Sequence, residues 1–332
     1  MTVTVGVIGA GAWGTALAQS QAIEDRNVIL WAREQDVVDS VNNQHENTVF
    51  LPTVELSPRI KATTDLSAVI AADVILLVTP AQYMRANLET LKELGLSKDT
   101  PLVVCSKGIE IATGKLLSQV MEETLGDCSY AILTGPTFAS EIARGMPSAA
   151  TLAAKSLDKA QAIQEILSSR SLRLYASQDL IGTQIGGAVK NVIAIACGAI
   201  DGLELGESAR AALITRGLAE MSRLTKAMGG QKETLMGMCG IGDMMLTCNS
   251  MQSRNFSLGV MLGQGRSLQD ILSSRHSVTE GVYTAEALMA LAKKNAIDMP
   301  ISEAVYRCIQ GETTIKEAVE RMLERPLKPE TV

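Results

Sequence analysis

A single lysine interrupts a long apolar segment in the second half of the chain. Lys190, followed by Asn191, lies within residues 183–199, where most other residues are small or apolar. Lysine is seldom buried without a partner, and burial lowers the pKa of an ammonium towards the range in which it transfers protons. The segment therefore predicts a helix that carries a proton donor. The alternative is a lysine that extends to solvent from the first helical turn.

Two later groups of polar residues could complete such a site. Asp243 ends a glycine-rich turn before the apolar residues Met244–Leu246, and its carboxylate could orient Lys190 or cap a helix. The run Ser253-Arg254-Asn255 is a compact set of donors suited to a phosphate oxyanion. Together these residues indicate proton transfer next to an anion site.

A glycine-rich segment near the start has the chemistry of a dinucleotide site. Gly9, Gly11 and Gly14 form GxGxxG directly after the apolar run Val3–Ile8 and at the start of a helical pattern. The first glycine permits a tight turn, the second lets the backbone approach a pyrophosphate, and the third allows close packing, while the helix N-terminus offers amide donors. At the first strand of a βαβ pattern this motif predicts an NAD or NADP site. A glycine turn without a ligand is the alternative.

The residue after the second predicted strand bears on the choice of cofactor. An NAD-selective site usually has an acidic residue there, which accepts from the ribose 2′-hydroxyl. This chain has Arg33, which suits a 2′-phosphate, followed by Glu34. We therefore expect NADP to be used at least as well as NAD, with an ordinary surface arginine as the alternative.

The elements around these residues predict an α/β fold with a Rossmann-like, doubly wound parallel sheet, followed by an all-helical domain. The apolar runs of the first half lack alternation, as expected for strands covered on both faces. The predicted strands are Val3–Ile8, Val28–Ala32, Val74–Thr79, Leu102–Ser106, Ala131–Thr134, Ala149–Ala153 and Leu172–Tyr175. The predicted helices include Trp13–Glu24, Ala81–Leu94, Gly114–Leu125, Ala160–Ser168, Ala209–Leu224 and Tyr283–Lys293.

The change in pattern divides the chain into two domains. We expect residues 1–184 to bind the dinucleotide and residues 185–332 to form a helical substrate-binding and catalytic domain. Lys107 follows a predicted strand, and the ends of such strands are where doubly wound sheets bind ligands.

Composition excludes several classes of function. A net charge of -6 with 3% aromatic residues offers no basic face and no stacking platform for nucleic acid. Six dispersed cysteines and two histidines, His45 and His276, give a zinc site almost nothing to be built from, so we expect no metal and cysteines that serve as core residues. The chain shows no signal peptide and no uncharged apolar run of about 20 residues, which predicts a cytoplasmic protein without a membrane span.

Taken together, these segments resemble the bacterial type of NAD(P)-dependent glycerol-3-phosphate dehydrogenase. The resemblance runs from Gly9 to at least Gly281, and residues 210–221 are its longest distinctive run. The matching segments are Gly-Ala-Gly-Ala-Trp-Gly-Thr-Ala-Leu-Ala (9–18), Ser-Lys-Gly (106–108), Gly-Pro-Thr-Phe-Ala (135–139), Ala-Val-Lys-Asn-Val (188–192), Arg-Ala-Ala-Leu-Ile-Thr-Arg-Gly-Leu-Ala-Glu-Met (210–221), Gly-Asp (242–243) and Ser-Arg-Asn (253–255).

The resemblance implies an oxidoreductase that reduces dihydroxyacetone phosphate to sn-glycerol-3-phosphate for phospholipid biosynthesis, generally as a homodimer. It implies Lys190 as the proton donor or acceptor, with Asp243 beside it. The residues implied to contact the triose phosphate are Lys107, Gly135, Thr137, Lys190, Asn191, Asp243, Ser253, Arg254 and Asn255. Those implied to contact the dinucleotide are Trp13, Arg33, Lys107, Ala139, Arg254, Val278 and Glu280. They add to Gly9, Gly11, Ala12 and Gly14 of the glycine-rich segment.

The chain departs from the family pattern at three positions. Ala12 stands where a serine is common, which removes one possible hydroxyl contact to the cofactor. Thr137 replaces a frequent serine but keeps the hydroxyl, and Ser208 stands where asparagine is usual. None of these changes affects the lysine, the aspartate or the phosphate donors.

Two other functions compete with this interpretation. Another dehydrogenase of the same architecture, acting on a β-hydroxy acid or ketopantoate, would also use a helical-domain lysine but would need a carboxylate site in place of Ser253-Arg254-Asn255. A non-catalytic dinucleotide sensor would bind the cofactor without turnover and would leave Lys190 and Asp243 unexplained.

Overall fold

The fold is described from a computed structural model of the chain, in which residues 2–274, 278–327 and 330 are described. His276 lies outside these residues. The chain forms two compact units, the first comprising Met1–Ser106 and Leu117–Leu180 and the second comprising Lys107–Leu116 and Ile181–Val332. Our predicted boundary after residue 184 lies close to Leu180, but the short segment that begins at Lys107 groups with the second unit. The roles expected of the two parts remain predictions.

The first unit contains an eight-stranded sheet in the order β10-β9-β8-β5-β4-β1-β2-β3. All pairs are parallel except β8 with β9, which is antiparallel. The strands of the chain are β1 (Thr4–Ile8), β2 (Asn27–Trp31), β3 (Ile60–Thr63), β4 (Val74–Leu77), β5 (Leu102–Val104), β6 (Ile109–Glu110), β7 (Lys115–Leu116), β8 (Tyr130–Thr134), β9 (Ser148–Ala154) and β10 (Leu172–Ser177).

Helices cover both faces of this sheet, which explains the unbroken apolar runs of its strands. In β4, Val74 and Leu76 join one hydrophobic cluster, whereas Ile75 and Leu77 join a second on the opposite face. A strand buried on both faces needs apolar residues at every position. The helices of this unit are α1 (Ala12–Ala22), α2 (Gln35–Gln44), α3 (Met84–Glu93), α4 (Leu117–Leu125), α5 (Ala139–Ala143) and α6 (Leu157–Leu167).

The second unit is mostly helical, with β6 and β7 as a two-residue antiparallel ribbon. The prediction of a Rossmann-like sheet followed by a helical domain is therefore confirmed, with this ribbon as a small exception. The helices are α7 (Leu180–Gly202), α8 (Glu207–Ala227), α9 (Asp243–Thr247), α10 (Arg254–Gly263), α11 (Leu268–Ser273), α12 (Glu280–Lys294), α13 (Pro300–Ile309) and α14 (Ile315–Leu323).

Helix α7 has 23 residues, most of which are buried. Among the described residues it alone is long and apolar enough to span a membrane, but 83% of its most apolar window is buried inside the protein. Such burial is typical of the core helix of a packed domain. The free cysteines have the same core character, since all but the half-buried Cys308 are buried.

Glycines bring α7 and α10 into backbone contact. A Cβ at Gly198 of α7 would lie 2.0 Å from the carbonyl oxygen of Phe256, and a Cβ at Gly259 of α10 would lie 2.1 Å from that of Ile195. Both distances are far below van der Waals contact, so any larger residue would push the helices apart. The pair therefore fixes the separation of the helix that carries Lys190 from the helix that begins at Arg254.

Candidate active site

The glycine-rich loop between β1 and α1 has the geometry that its motif demands. Gly9 adopts a left-handed φ of 115°, which favours glycine, and its N–H donates to the carbonyl of Trp31 at 3.1 Å. A Cβ at Gly14 would lie 1.8 Å from the carbonyl oxygen of Gly9. Helix α1 can therefore pack against the loop only with glycine at this position.

The residues of this loop fit the pyrophosphate of a dinucleotide. No atom lies within 4 Å of the position that a Cβ would take at Gly11, so the backbone there is open to a ligand. The first amides of α1 follow at Ala12 and Trp13 and provide the donors of a helix N-terminus. Trp13 also has a buried Nε1 without a hydrogen-bond partner among the described residues. These residues, with Gly9 and Gly14, would hold the cofactor.

Arg33 lies two residues beyond the end of β2. Its side chain is 76% exposed and pairs with Glu34 at 2.9 Å. A surface ion pair of this kind is worth little free energy, so the guanidinium can exchange Glu34 for a stronger anion. Whether it binds a 2′-phosphate remains a prediction.

Residues 135–139 continue from the carboxyl end of β8. A Cβ at Gly135 would lie 2.6 Å from Cα of Ala150 on the neighbouring strand, which explains the glycine. Thr137 Oγ1 donates to the carbonyl of Gly135 at 3.3 Å, and Ala139 is the first residue of α5. The structure places this segment in the first unit, and its ligand contacts remain predictions.

The second unit brings Lys190 and Asp243 together, as the sequence predicted. Lys190 lies in the middle of α7 and is 5% exposed, and Asp243 is fully buried. The Lys190 ammonium donates to Oδ1 of Asp243 and to Oγ1 of Thr247 at 2.9 Å. The alternative of a lysine reaching solvent from the first helical turn is therefore wrong. The N-cap of α9 is Gly242 rather than Asp243, so the cap alternative is wrong as well.

Lys107 shares the same carboxylate. Its Nζ lies 2.7 Å from Oδ2 of Asp243, and its side chain is 16% exposed. Burial is the main cause that lowers the pKa of Lys190 from its ordinary 10.5 to about 7; Asp243 opposes the change and Lys107 adds to it. One buried carboxylate thus holds two ammonium groups, of which Lys190 is poised to exchange a proton near neutral pH.

Thr247 is a member of this cluster that the sequence analysis missed. Its hydroxyl, on a residue 5% exposed, accepts from Lys190 and donates to Oδ1 of Asp243 at 3.3 Å. The spacing of Asp243 and Thr247 could have indicated it, because residues four apart lie on the same face of a helix. An aspartate predicted at the start of a helix could have pointed to Thr247.

The predicted phosphate residues form a second cluster at the N-terminus of α10. Ser253 caps this helix by accepting from the N–H of Phe256 at 3.2 Å. Arg254 donates to the carbonyl of Val278 at 2.7 Å, next to Glu280 at the start of α12. Asn255, 8% exposed, accepts at Oδ1 from the N–H of Gly281 at 3.0 Å. Two helix N-termini therefore meet beside a guanidinium, a favourable arrangement for an anion.

Gly281 also connects this cluster to the lysine. A Cβ there would lie 2.6 Å from Oδ1 of Asn255 and 2.9 Å from the carbonyl oxygen of Asn191, the residue after Lys190. Residues 253–255 and Lys190 are thus held by one packed set of helices. Among the described residues, no group of three His, Cys, Asp or Glu side chains could hold a metal ion.

A Rossmann sheet with its glycine loop and a buried lysine-aspartate pair beside an anion cluster defines an NAD(P)-dependent oxidoreductase of an anionic substrate. Two family models match: the N-terminus of NAD-dependent glycerol-3-phosphate dehydrogenase over residues 4–160 and its C-terminus over residues 179–320. The chain therefore belongs to the NAD-dependent glycerol-3-phosphate dehydrogenase family.

Individual relatives agree with this assignment. The chain is 50% identical to the glycerol-3-phosphate dehydrogenase (NAD(P)+) of Parvibaculum lavamentivorans over 98% of both chains. It is also 50% identical to that of Rhodospirillum rubrum, over 98% of this chain and 93% of the relative. The crystal structure of glycerol-3-phosphate dehydrogenase from Coxiella burnetii matches with a TM-score of 0.93 and 37% identity, over 98% of this chain and 99% of that one. The predicted family, activity and use of NAD(P) are confirmed.

Proposed function

We propose that Lys190 is the proton donor in the reduction of dihydroxyacetone phosphate to sn-glycerol-3-phosphate, and the proton acceptor in the reverse reaction. The observation that carries this role is the burial of Lys190 in an apolar helix, where Asp243 and Thr247 hold its ammonium. When bound, NADPH or NADH supplies the hydride that adds to the carbonyl carbon.

The chain's own residues supply position and protons. Lys190 donates a proton to the C2 oxygen, where negative charge develops, and such general acid catalysis is worth on the order of 10²–10⁴ in rate. Asp243 and Thr247 keep the ammonium oriented. Lys107, on the second oxygen of Asp243, lowers the pKa of Lys190 and so favours release of its proton.

The substrate phosphate binds at the N-terminus of α10. Arg254 offers a guanidinium there, and Ser253 and Asn255 offer the hydroxyl and amide hydrogens that their contacts to Phe256 and Gly281 leave unused. Fixing the phosphate fixes C2, and positioning supplies a large part of the acceleration. The family resemblance also implies Gly135 and Thr137 as substrate contacts, and Asn191 follows Lys190 in the chain.

The pyrophosphate of the dinucleotide binds in the first unit. Gly9, Gly11, Ala12, Trp13 and Gly14 hold its pyrophosphate, and Arg33 selects for the 2′-phosphate of NADPH. Lys107, Ala139, Arg254, Val278 and Glu280 complete the contacts that the family resemblance implies. The product supplies glycerophospholipid synthesis, and the enzyme acts in the cytoplasm as a homodimer.

Turnover of defined substrates tests this function. Purified protein is expected to oxidise NADPH rapidly with dihydroxyacetone phosphate and not with ketopantoate or a β-keto acid. Turnover with ketopantoate alone, or binding of NADPH without turnover of any of these substrates, would contradict the proposed substrate.

A further inference from the structure

Asn47 is a buried polar residue to which the motif analysis gave no role. Its exposure is 0%, and it lies in the connection between α2 and β3, far along the chain from the glycine-rich loop. A buried carboxamide is costly unless its hydrogen bonds are satisfied. Its partners therefore indicate what the residue does.

The Asn47 side chain binds the middle of the glycine-rich loop. Its Nδ2 donates to the carbonyl oxygen of Ala10 and to Oγ1 of Thr15, both at 2.8 Å. Thr15 Oγ1 in turn donates to the same Ala10 carbonyl at 3.3 Å. The carbonyl between Gly9 and Gly11 thus accepts two hydrogen bonds from fully buried side chains.

The orientation of the Asn47 carboxamide is fixed from its other end. Its Oδ1 accepts from the N–H of Phe50 at 3.0 Å, so its Nδ2 must face Ala10. Its backbone carbonyl accepts from the N–H of Leu51 at 2.9 Å. Asn47 therefore bonds both to the glycine-rich loop and to the connection that carries it.

Peptide geometry transmits this contact to the ligand side of the loop. The Ala10–Gly11 peptide is trans, and in a planar trans peptide the carbonyl and the N–H point in opposite directions. Because buried partners hold the Ala10 carbonyl towards the interior, the N–H of Gly11 points to the exposed side. That side is where the space beside Gly11 is open.

We propose that Asn47 is a positioning residue for pyrophosphate binding, which it favours by fixing the direction of the Gly11 N–H before the ligand arrives. This inference rests on the cofactor part of the proposed function. The ligand class is a dinucleotide diphosphate, and Thr15 is the second member of the device.

The test is binding by Asn47→Asp, which keeps the shape but replaces the amide donor with an oxygen that repels the Ala10 carbonyl. Calorimetry without triose phosphate measures Kd for NADPH, NADH and ADP-ribose. We expect all three, which share the diphosphate, to bind roughly tenfold or more weakly. Adenosine 2′-monophosphate, which lacks the diphosphate, should bind as to the unsubstituted protein.

Asn42→Asp is the matched control. Asn42 makes a comparable pair of side-chain bonds, donating to the carbonyl and accepting from the N–H of Ala62, each at 2.9 Å, but it does not touch the glycine-rich loop. This variant should lower thermal stability while leaving the Kd for NADPH unchanged.

Folded Asn47→Asp protein that binds NADPH within about twofold of the unsubstituted protein would overturn the proposal. So would an equal loss of adenosine 2′-monophosphate binding, because it would indicate general damage to the unit. If Asn47→Asp does not fold, Thr15→Val removes the second donor at constant shape, and unchanged NADPH affinity there would overturn the proposal. Failure of the proposed function would appear differently, as intact binding without turnover of dihydroxyacetone phosphate.

Discussion

The pKa of Lys190 is set by influences that act in opposite directions. Burial in α7 and the ammonium of Lys107 lower the pKa of Lys190, whereas the carboxylate of Asp243 raises it. The balance leaves a lysine that can hold a proton and still release it near neutral pH. A catalytic acid works best when its pKa lies near the operating pH.

The two directions of the reaction should therefore depend on pH in opposite ways. Reduction of dihydroxyacetone phosphate needs protonated Lys190, so kcat should fall as the pH rises through about 7. Oxidation of glycerol-3-phosphate needs neutral Lys190, so its kcat should rise over the same interval. Steady-state kinetics in both directions measure this, and parallel profiles would contradict the role of Lys190.

Lys107→Met provides a sharper version of the same experiment. Loss of a neighbouring positive charge raises the pKa of Lys190, so the falling limb of the reduction profile should move to higher pH. Lys226→Met, which removes an exposed lysine of α8, should leave the profile in place. A limb that does not move in Lys107→Met would show that Lys107 has no influence on this proton.

The exposed Arg33 leads to a separate prediction about the preference for NADPH over NADH. Arg33→Asp exchanges a cation that suits the 2′-phosphate for an anion that repels it, so KM for NADPH should rise roughly tenfold or more relative to that for NADH. Arg59→Asp, at an arginine that pairs with Asp25, is the control for loss of a surface cation. An unchanged NADPH/NADH preference in Arg33→Asp would show that Arg33 has no role in cofactor selection.

Functional residues could be predicted from the sequence where they belong to a motif or are unusual in their surroundings. Lys190 stood out because lysine is seldom found inside an apolar helix, and Asp243 was a candidate partner that could also have been a helix cap. Thr247 and Asn47 were missed for different reasons. Thr247 needed the exact helical register of α9, whereas Asn47 acts across 37 residues of sequence, a distance that no local pattern reports.

At the scale of elements, the buried strands were predictable and their pairing was not. Apolar runs gave β4, β5 and β8 to within a few residues. Strand β3, with the alternating sequence Ile-Lys-Ala-Thr, was missed because it is short and half exposed. The antiparallel pairing of β8 with β9 depends on the turn of the chain through residues 135–147, and periodicity within a strand carries no direction.

The backbone contact between α7 and α10 leads to a prediction about stability and substrate binding. Gly198→Ala places a Cβ at the position 2.0 Å from the Phe256 carbonyl, so α10 must move. Overpacking of this kind costs about 1–3 kcal/mol of unfolding free energy. Because α10 begins at the residues proposed to bind the substrate phosphate, KM for dihydroxyacetone phosphate should rise.

Urea unfolding and steady-state kinetics measure both effects. Ser208→Ala is the control, since it adds helix propensity at an exposed position of α8 and should alter neither quantity appreciably. Gly198→Ala protein with undiminished stability and a normal KM would show that the separation of these helices does not matter.

At the scale of the whole molecule, the two units carry different parts of the proposed reaction. The first holds the glycine-rich loop and Arg33, and the second holds Lys190, its partners and the anion cluster. Substitutions of Lys190 or Thr247 should therefore affect the proton step with little effect on dinucleotide affinity. This separation makes the roles of individual residues measurable.

We also predict that the protein is a homodimer in solution. Size-exclusion chromatography with light scattering should give about twice the 35.3 kDa mass of one chain. An isologous interface would cover some of the apolar surface that a single chain exposes, which includes Met236 at 68% and Met251 at 59%. A mass of one chain throughout a micromolar concentration series would contradict the prediction.

The measurement that tests the central claim most directly is the turnover of Lys190→Met with NADPH and dihydroxyacetone phosphate. Methionine keeps an unbranched side chain in α7 without the ammonium, so kcat should fall by roughly 10² or more while the Kd for NADPH stays unchanged. Near-normal turnover by this variant would remove Lys190 from the mechanism.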